Sequence, residues 1–285
     1  MILYYAYRLG EFLALAVPIK ISYRVACLAA DLCYYFFPAD RKAVISNINV
    51  VAEGKLGSRE ECRIARQVFR NFAKYLVDFF RFSIINKDYI SKFVRIEGLN
   101  NIDEALARGK GVIALSAHIG NWELGGSVLS LSGYPLSAVV LTHKHKKVNE
   151  FFKKQRLVGM VKPIEIGMAL KECYRVLKNN KILALMGDRD FTGSGFRINF
   201  FGREALIPKG PSAFSYRIGS AIVPAFMIRE DDDTFRFIFE KPIYPDRSVE
   251  ESVSGRQLTE QYLSVIESYI RARPEQWYAF RKIWE

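Results

Sequence analysis

Gly111-Val112-Ile113-Ala114-Leu115-Ser116-Ala117-His118-Ile119-Gly120-Asn121-Trp122-Glu123 joins an apolar run to a histidine and a glycine, and then to residues that suit the first turn of a helix. The run from Gly111 to Leu115 is short and β-rich, which reads as a buried strand. The same texture recurs at Phe93 to Glu97, Leu136 to Leu141, Ile182 to Met186, Ala221 to Phe226 and Phe235 to Glu240, with helical patterns between. Such alternation predicts an α/β fold, a mixed central sheet flanked by helices. Upstream of Phe93 the chain reads as helical. Ser58-Arg59-Glu60-Glu61 has the form of a capping box opening a long helix that ends near Phe82. Asn101 to Glu104 caps a helix inside the α/β part, and an amphipathic stretch from Ser254 to Ala272 closes the fold before Pro274. The expected organisation is an N-terminal helical region over 1–90 and an α/β core over 91–285, forming one compact unit.

The 285 residues are half hydrophobic and a quarter charged, which excludes a disordered, collagenous or disulfide-stapled chain. Lys and Arg number 42 against 30 Asp and Glu, a net charge of +12, so nucleic acid, anionic lipid and an acidic protein are the candidate partners. Cys27, Cys33, Cys62 and Cys173 form no Cys-x-x-Cys pair and lack histidines at zinc-ligand spacing, so no metal site is expected. The first residues carry no secretory signal, and the cytosolic side is the default. Residues 1–40 are very apolar, yet Arg8, Glu11, Lys20, Arg24 and Asp31 interrupt them. A spanning helix needs about 20 mostly apolar residues, so this region reads as amphipathic helices lying in a bilayer interface. Leu124 to Thr142 is uncharged, but Ser132-Gly133-Tyr134-Pro135 is a turn signal that divides it into a helix and a strand.

Four constellations carry polar chemistry. His118 ends an apolar strand, where α/β sites gather, and Glu123 on the following helix is positioned to return to the imidazole. A carboxylate on Nδ1 leaves Nε2 free to accept a proton from a hydroxyl. Gly187-Asp188-Arg189-Asp190 follows the strand Ile182 to Met186 and leads into a glycine-containing loop, so the two strand ends are expected to share one pocket. His143 to Arg156 holds Lys144, Lys146, Lys147, Lys153 and Lys154 against Glu150, and reads either as a solvated helix face or as a dock for an acidic partner. Asn199 to Arg203, followed by Pro208-Lys209-Gly210-Pro211 before a helical stretch, places backbone donors and Lys209 at a helix N-terminus, a natural anion site.

Together, His118-Ile-Gly-Asn-Trp-Glu123, Gly187-Asp-Arg-Asp190, Phe200-Phe-Gly202, Pro208-Lys-Gly210 and Pro274-Glu-Gln-Trp-Tyr278 resemble the bacterial lipid A biosynthesis late-acyltransferase family, within the glycerolipid acyltransferase-like superfamily. The resemblance implies a general-base dyad of His118 and Glu123, and Asn121, Asp188, Arg189, Asp190, Arg203 and Lys209 are the candidate substrate-binding residues beside it. It also implies transfer of a fatty acyl group from acyl-carrier-protein or acyl-CoA to a hydroxyl of a membrane glycolipid, with the thioester as co-substrate and no further cofactor. Lys146, Lys147, Lys153 and Lys154 are then the candidate dock for the carrier protein. The location implied is the cytoplasmic face of a bacterial inner membrane, by peripheral attachment. Asp188-Arg189-Asp190 ahead of Phe-Phe-Gly is similar also to the phosphatidylinositol-mannoside acyltransferase branch, so the acceptor stays open, a lysophospholipid included. A basic membrane- or nucleic-acid-binding protein without catalysis is the competing class, but the charge is not interleaved with an RNA-recognition or helix-turn-helix signature. A hydrolase would need a Gly-x-Ser-x-Gly elbow, and none is present.

Overall fold

The apolar runs pair into a seven-stranded sheet in a computed structural model that describes residues 2–166 and 169–284. Its strands are β1 (Val94–Glu97), β2 (Val112–Ser116), β3 (Leu136–Val140), β4 (Val161–Glu165), β5 (Ile182–Met186), β8 (Ala221–Arg229) and β9 (Phe235–Phe239), in the order β1-β9-β8-β2-β5-β3-β4. Strands β2, β3, β4, β5 and β8 run parallel, and the antiparallel β8–β9 pair turns β9 and its parallel neighbour β1 the other way. The sheet is therefore mixed, as expected. A separate antiparallel hairpin is formed by β6 (Phe196–Phe200) and β7 (Arg203–Ile207), which turn through Phe201 and Gly202, both at positive φ.

Alternation along β2 explains why helices cover both faces. Val112 and Ala114 face one layer, built from α7 (Trp122–Leu131), α8 (Lys146–Val158) and the end of α4 (Ser58–Phe80). Ile113 and Leu115 face the other, built from α9 (Ala169–Lys178) and α11 (Glu251–Ala272). The remaining helices are α1 (Ile2–Ala16), α2 (Ile19–Phe36), α3 (Pro38–Val51), α5 (Lys87–Phe93), α6 (Asn100–Ala107) and α10 (Gly210–Ile218). Asp31 of α2 accepts paired hydrogen bonds from both Arg66 and Arg70 of α4, which fixes the N-terminal helices to one another.

Two expected caps form differently. Gly57 occupies the N-cap of α4, so Ser58 is already the first helical residue and makes no cap bond. Leu99 precedes α6, and the Asn101 side chain instead donates to the Phe239 carbonyl at 2.9 Å. Three strands escaped the sequence reading. β4 contains Pro163, which is tolerated because β4 is the sheet's edge. β6 and β7 fall across the Asn199 to Arg203 segment, whose polar and glycine residues carry no strand signal. The turn expected inside Leu124 to Thr142 does separate α7 from β3.

Candidate active site

Strand β2 ends at Ser116, and the next residues make a tight loop that carries His118. Gly120 has φ +64°, and a Cβ there would lie 2.1 Å from the Met227 carbonyl oxygen, so only glycine fits. The C-terminal segment Pro274 to Tyr278 clamps this loop from outside: Tyr278 N–H donates to the His118 carbonyl at 2.8 Å, and Gly120 N–H donates to the Gln276 carbonyl at 3.0 Å. Strand β5 lies beside β2, with Ser116 opposite Met186, so the residues after β5 arrive next to His118.

The partner of His118 is Asp188. Its Oδ1 lies 2.7 Å from His118 Nδ1, while Oδ2 accepts from the His118 backbone N–H at 3.2 Å and from the Trp277 indole at 3.0 Å. Burial alone would raise the Asp188 carboxyl's pKa, but the His118, Arg189 and Trp277 donors and charges outweigh it and hold it well below the usual carboxylate range. Burial, with the nearby charge of Arg189, lowers the His118 pKa against the pull of Asp188 and keeps the imidazole neutral. With Asp188 on Nδ1, Nε2 is the nitrogen left to take a proton.

The expected pairing of His118 with Glu123 does not form. Glu123 sits in the first turn of α7, and from there its carboxylate is taken by Arg156 of α8, at 3.0 and 2.6 Å to Oε1 from Nε and Nη2 and 3.1 Å to Oε2. A buried guanidinium removes a carboxylate from competition because breaking such a pair costs about 3–5 kcal/mol. Asn121 is likewise not at a ligand surface. It caps α7 by accepting from Leu124 N–H at 3.1 Å, and donates to Asp78 at 2.7 Å. Asp78 in turn is bound by Tyr23 and Arg229, so the helix α2, the sheet and the His118 loop meet in one buried polar cluster.

His118 opens onto a cavity of about 760 Å³ that runs between α7 and the sheet. Small residues carve it. Ala114, Ala184 and Ala138 stand in direct register across β2, β5 and β3, and Gly125 and Gly126 face them from α7. Leu136, Val161, Met227 and Phe237 add larger apolar side chains to the lining. The lining also includes the polar side chains of Tyr7 of α1, Glu123, Arg156, Arg189 and Asp190, and Lys209, whose ammonium lies 5.0 Å over the Phe196 ring. Asp190 is partly spent on its own loop, accepting from the Thr192 amide and hydroxyl at 3.1 and 2.8 Å. Arg203 stands apart, exposed on the β6–β7 hairpin and paired across it with neither His118 nor the cavity. Lys146, Lys147, Lys153 and Lys154 are all exposed on α8, whose inner residues Phe151 and Phe152 are buried. Among the described residues no group of His, Cys, Asp and Glu is arranged to hold a metal.

Sequence reasoning assigns no role to Trp277, and places Arg156 only in the basic run that reads as a solvated helix face or a dock for an acidic partner or phosphate headgroup. Trp277 carried a signal, since Pro274 to Tyr278 stood out as a motif, but nothing local reveals that its indole reaches a carboxylate 89 positions away. Arg156 was hidden within a run of surface lysines.

The family model described as bacterial lipid A biosynthesis acyltransferase matches residues 1–285. A phosphatidylinositol mannoside acyltransferase of Mycobacterium tuberculosis is 28% identical over 160 residues, 54% of this chain and 51% of the relative. Its counterpart in Mycolicibacterium smegmatis is 23% identical over 228 residues, 78% of this chain and 72% of the relative. The lipid A biosynthesis palmitoleoyltransferase of Escherichia coli is 24% identical over 190 residues, 66% of this chain and 60% of the relative. The matched stretch thus spans about half the length of the Mycobacterium tuberculosis relatives.

Proposed function

Because the chain belongs to the bacterial lipid A biosynthesis acyltransferase family, we propose that it moves a fatty acyl group from a thioester, acyl-carrier-protein or acyl-CoA, to a hydroxyl of a membrane glycolipid. The observation that carries this reading is the His118–Asp188 pair at the mouth of an apolar cavity. A methylene needs about the space of a water molecule, on the order of 30 Å³, so 760 Å³ accommodates a long acyl chain together with the reacting groups. In the proposed reaction His118 Nε2 takes the proton of the acceptor hydroxyl, and the alcohol oxygen bonds to the thioester carbon. Collapse of the tetrahedral intermediate breaks the C–S bond, and the departing thiolate recovers the proton from the imidazolium. Asp188 fixes the tautomer and steadies the imidazolium, with no protein nucleophile required.

The acceptor belongs to the chemistry of the relatives' names, a lipid A precursor or a phosphatidylinositol mannoside. Exposed Leu9, Phe12, Leu28 and Phe36 on α1 and α2, with Lys20 and Arg24 among them, suit an anionic bilayer surface. Tyr7 of α1 lines the cavity, so the surface that would meet the bilayer adjoins its mouth. The cytoplasmic face of the inner membrane is the proposed location, where both thioesters are made available. The lysines of α8 are proposed to dock an acidic carrier protein.

Incubation of the purified protein with bacterial membrane lipids and isotopically labelled acyl donor, followed by mass spectrometry, is expected to show one glycolipid species gaining one acyl chain. His118→Ala is expected to abolish that product. Near-normal turnover by the His118→Ala protein would overturn the mechanism, and absence of any labelled lipid with the wild type would overturn the function.

A further inference from the structure

Three arginines lie deeply buried around the cavity and its supporting cluster, and two of them are fully engaged. Arg156 is committed to Glu123, and Arg229 to Asp78, Tyr23 and Asp233. Arg189 differs. It lines the cavity beside His118, its side chain is only 14% exposed, and its buried Nε has no hydrogen-bond partner among the described residues. The nearest carboxylate oxygen, Asp188 Oδ2, is 3.5 Å from that Nε and is already bonded to the His118 backbone and the Trp277 indole. That Nε is turned toward Asp188 with no accessible surface, so a substrate in the cavity would meet the rest of the guanidinium, which makes no hydrogen bond among the described residues.

We propose that Arg189 is the oxyanion-stabilising residue of the acyl-transfer step. The proposal rests on the acyltransferase reading above. When the acceptor oxygen bonds to the thioester carbon, the carbonyl π electrons move onto oxygen, and the negative charge appears within the cavity that His118 and Arg189 both line. The guanidinium donates to that oxygen while His118 holds the acceptor's proton. As the intermediate collapses, the electron pair returns to re-form C=O, the C–S bond breaks, and Arg189 is left as it began. A fixed cation in a site with little water acts on charge that exists only in the transition state and intermediate, so it raises turnover more than ground-state binding. Consecutive residues after β5 thereby divide the work: Asp188 turns behind the imidazole to orient it, and Arg189 turns into the cavity.

The test compares wild type, Arg189→Gln and Arg189→Lys as full chains, using palmitoyl-CoA with and without bacterial membrane lipids. Hydrolysis of the thioester by water passes through an analogous oxyanion with the same base but needs no lipid acceptor, so it reports on Arg189 independently of acceptor binding. The expected result for Arg189→Gln is a fall in kcat on the order of 10²–10³, equal for transfer and hydrolysis, with each KM nearly unchanged. Arg189→Lys keeps the charge without the planar fork and is expected to recover part of the loss, which an arginine needed only for packing would not show. It also serves as the readout if the Gln variant does not fold. A raised KM for donor or lipid at constant kcat would overturn the proposal, since the arginine would then hold a substrate phosphate. Loss of transfer with hydrolysis intact would overturn it too, by assigning Arg189 to the acceptor. A wild-type protein that hydrolyses palmitoyl-CoA but acylates no lipid removes the acyltransferase reading while leaving the oxyanion role measurable.

Discussion

Asp188 gathers three donors onto one buried carboxylate: His118 Nδ1, the His118 backbone and the Trp277 indole. That geometry separates its contribution from that of Glu123. Asp188→Asn keeps the shape but removes the charge that orients and stabilises the imidazolium, and is expected to lower kcat by ~10²–10⁴. Glu123→Gln leaves the imidazole's partner in place and weakens the hold on Arg156 instead, so its loss in kcat is expected to be the smaller of the two. Steady-state kinetics of both variants check this, and equal losses would restore Glu123 as a direct partner. The pH profile follows from the same environment. Burial lowers the His118 pKa below the ordinary ~6.5, and the base works only when neutral. The rate should therefore rise with pH through a value below 6.5 and be level above it. The sign for stability agrees: the folded state binds the His118 proton less readily than the unfolded chain, so this contribution is complete above about pH 6.5 and is lost as pH falls through the folded pKa. His118 and Glu123 were both visible in the sequence as a pair at suitable spacing. Their separation was not, because Arg156 competes for Glu123 from a helix 33 residues away.

At the level of elements, α7 decides how much room the cavity has. Its glycines would be poor choices for a helix judged on propensity alone, each costing about 1 kcal/mol relative to alanine. Their value lies in the close approach to the sheet. A Cβ at Gly126 would stand 3.3 Å from Val161 and 3.7 Å from Leu136, both part of the cavity lining. Gly126→Leu is accordingly expected to shorten the acyl chain the protein accepts. Excluding two methylenes forfeits about 1.6 kcal/mol of burial, on the order of tenfold in relative rate for the longest donor. A series of acyl-CoA lengths measures this, and an unchanged length preference would show that the chain does not lie along α7. The existence of most strands was legible, since each central strand is a continuous apolar run, while their order in the sheet was not. β4 and the β6–β7 hairpin were not, because a proline at an edge and a motif-rich loop both imitate non-strand signals.

Across the whole molecule, exposed basic side chains stand on two different surfaces. One is the apolar face of α1 and α2, where Lys20 and Arg24 lie among exposed Leu, Val and Phe side chains, although no helix among the described residues is long and apolar enough to cross a membrane. The other is the exposed lysine row of α8. Replacing Leu28 and Phe36 by Ser is expected to release the protein from anionic liposomes in sedimentation while leaving DNA binding absent throughout. Neutralising Lys146, Lys147, Lys153 and Lys154 is expected to weaken use of acyl-carrier-protein more than acyl-CoA, and equal effects would remove the docking role. The sequence by itself determined the fold class and the apolar N-terminal helices and singled out His118 as the candidate base, because strand runs, amphipathic spacing and a residue's own chemistry are local properties. Only the tertiary structure decided which carboxylate serves that base, which arginine is left without a partner, and where the cavity lies. Those depend on register between strands and on groups up to 89 positions apart competing for one another inside a solvent-poor core, and no local pattern encodes the outcome of that competition.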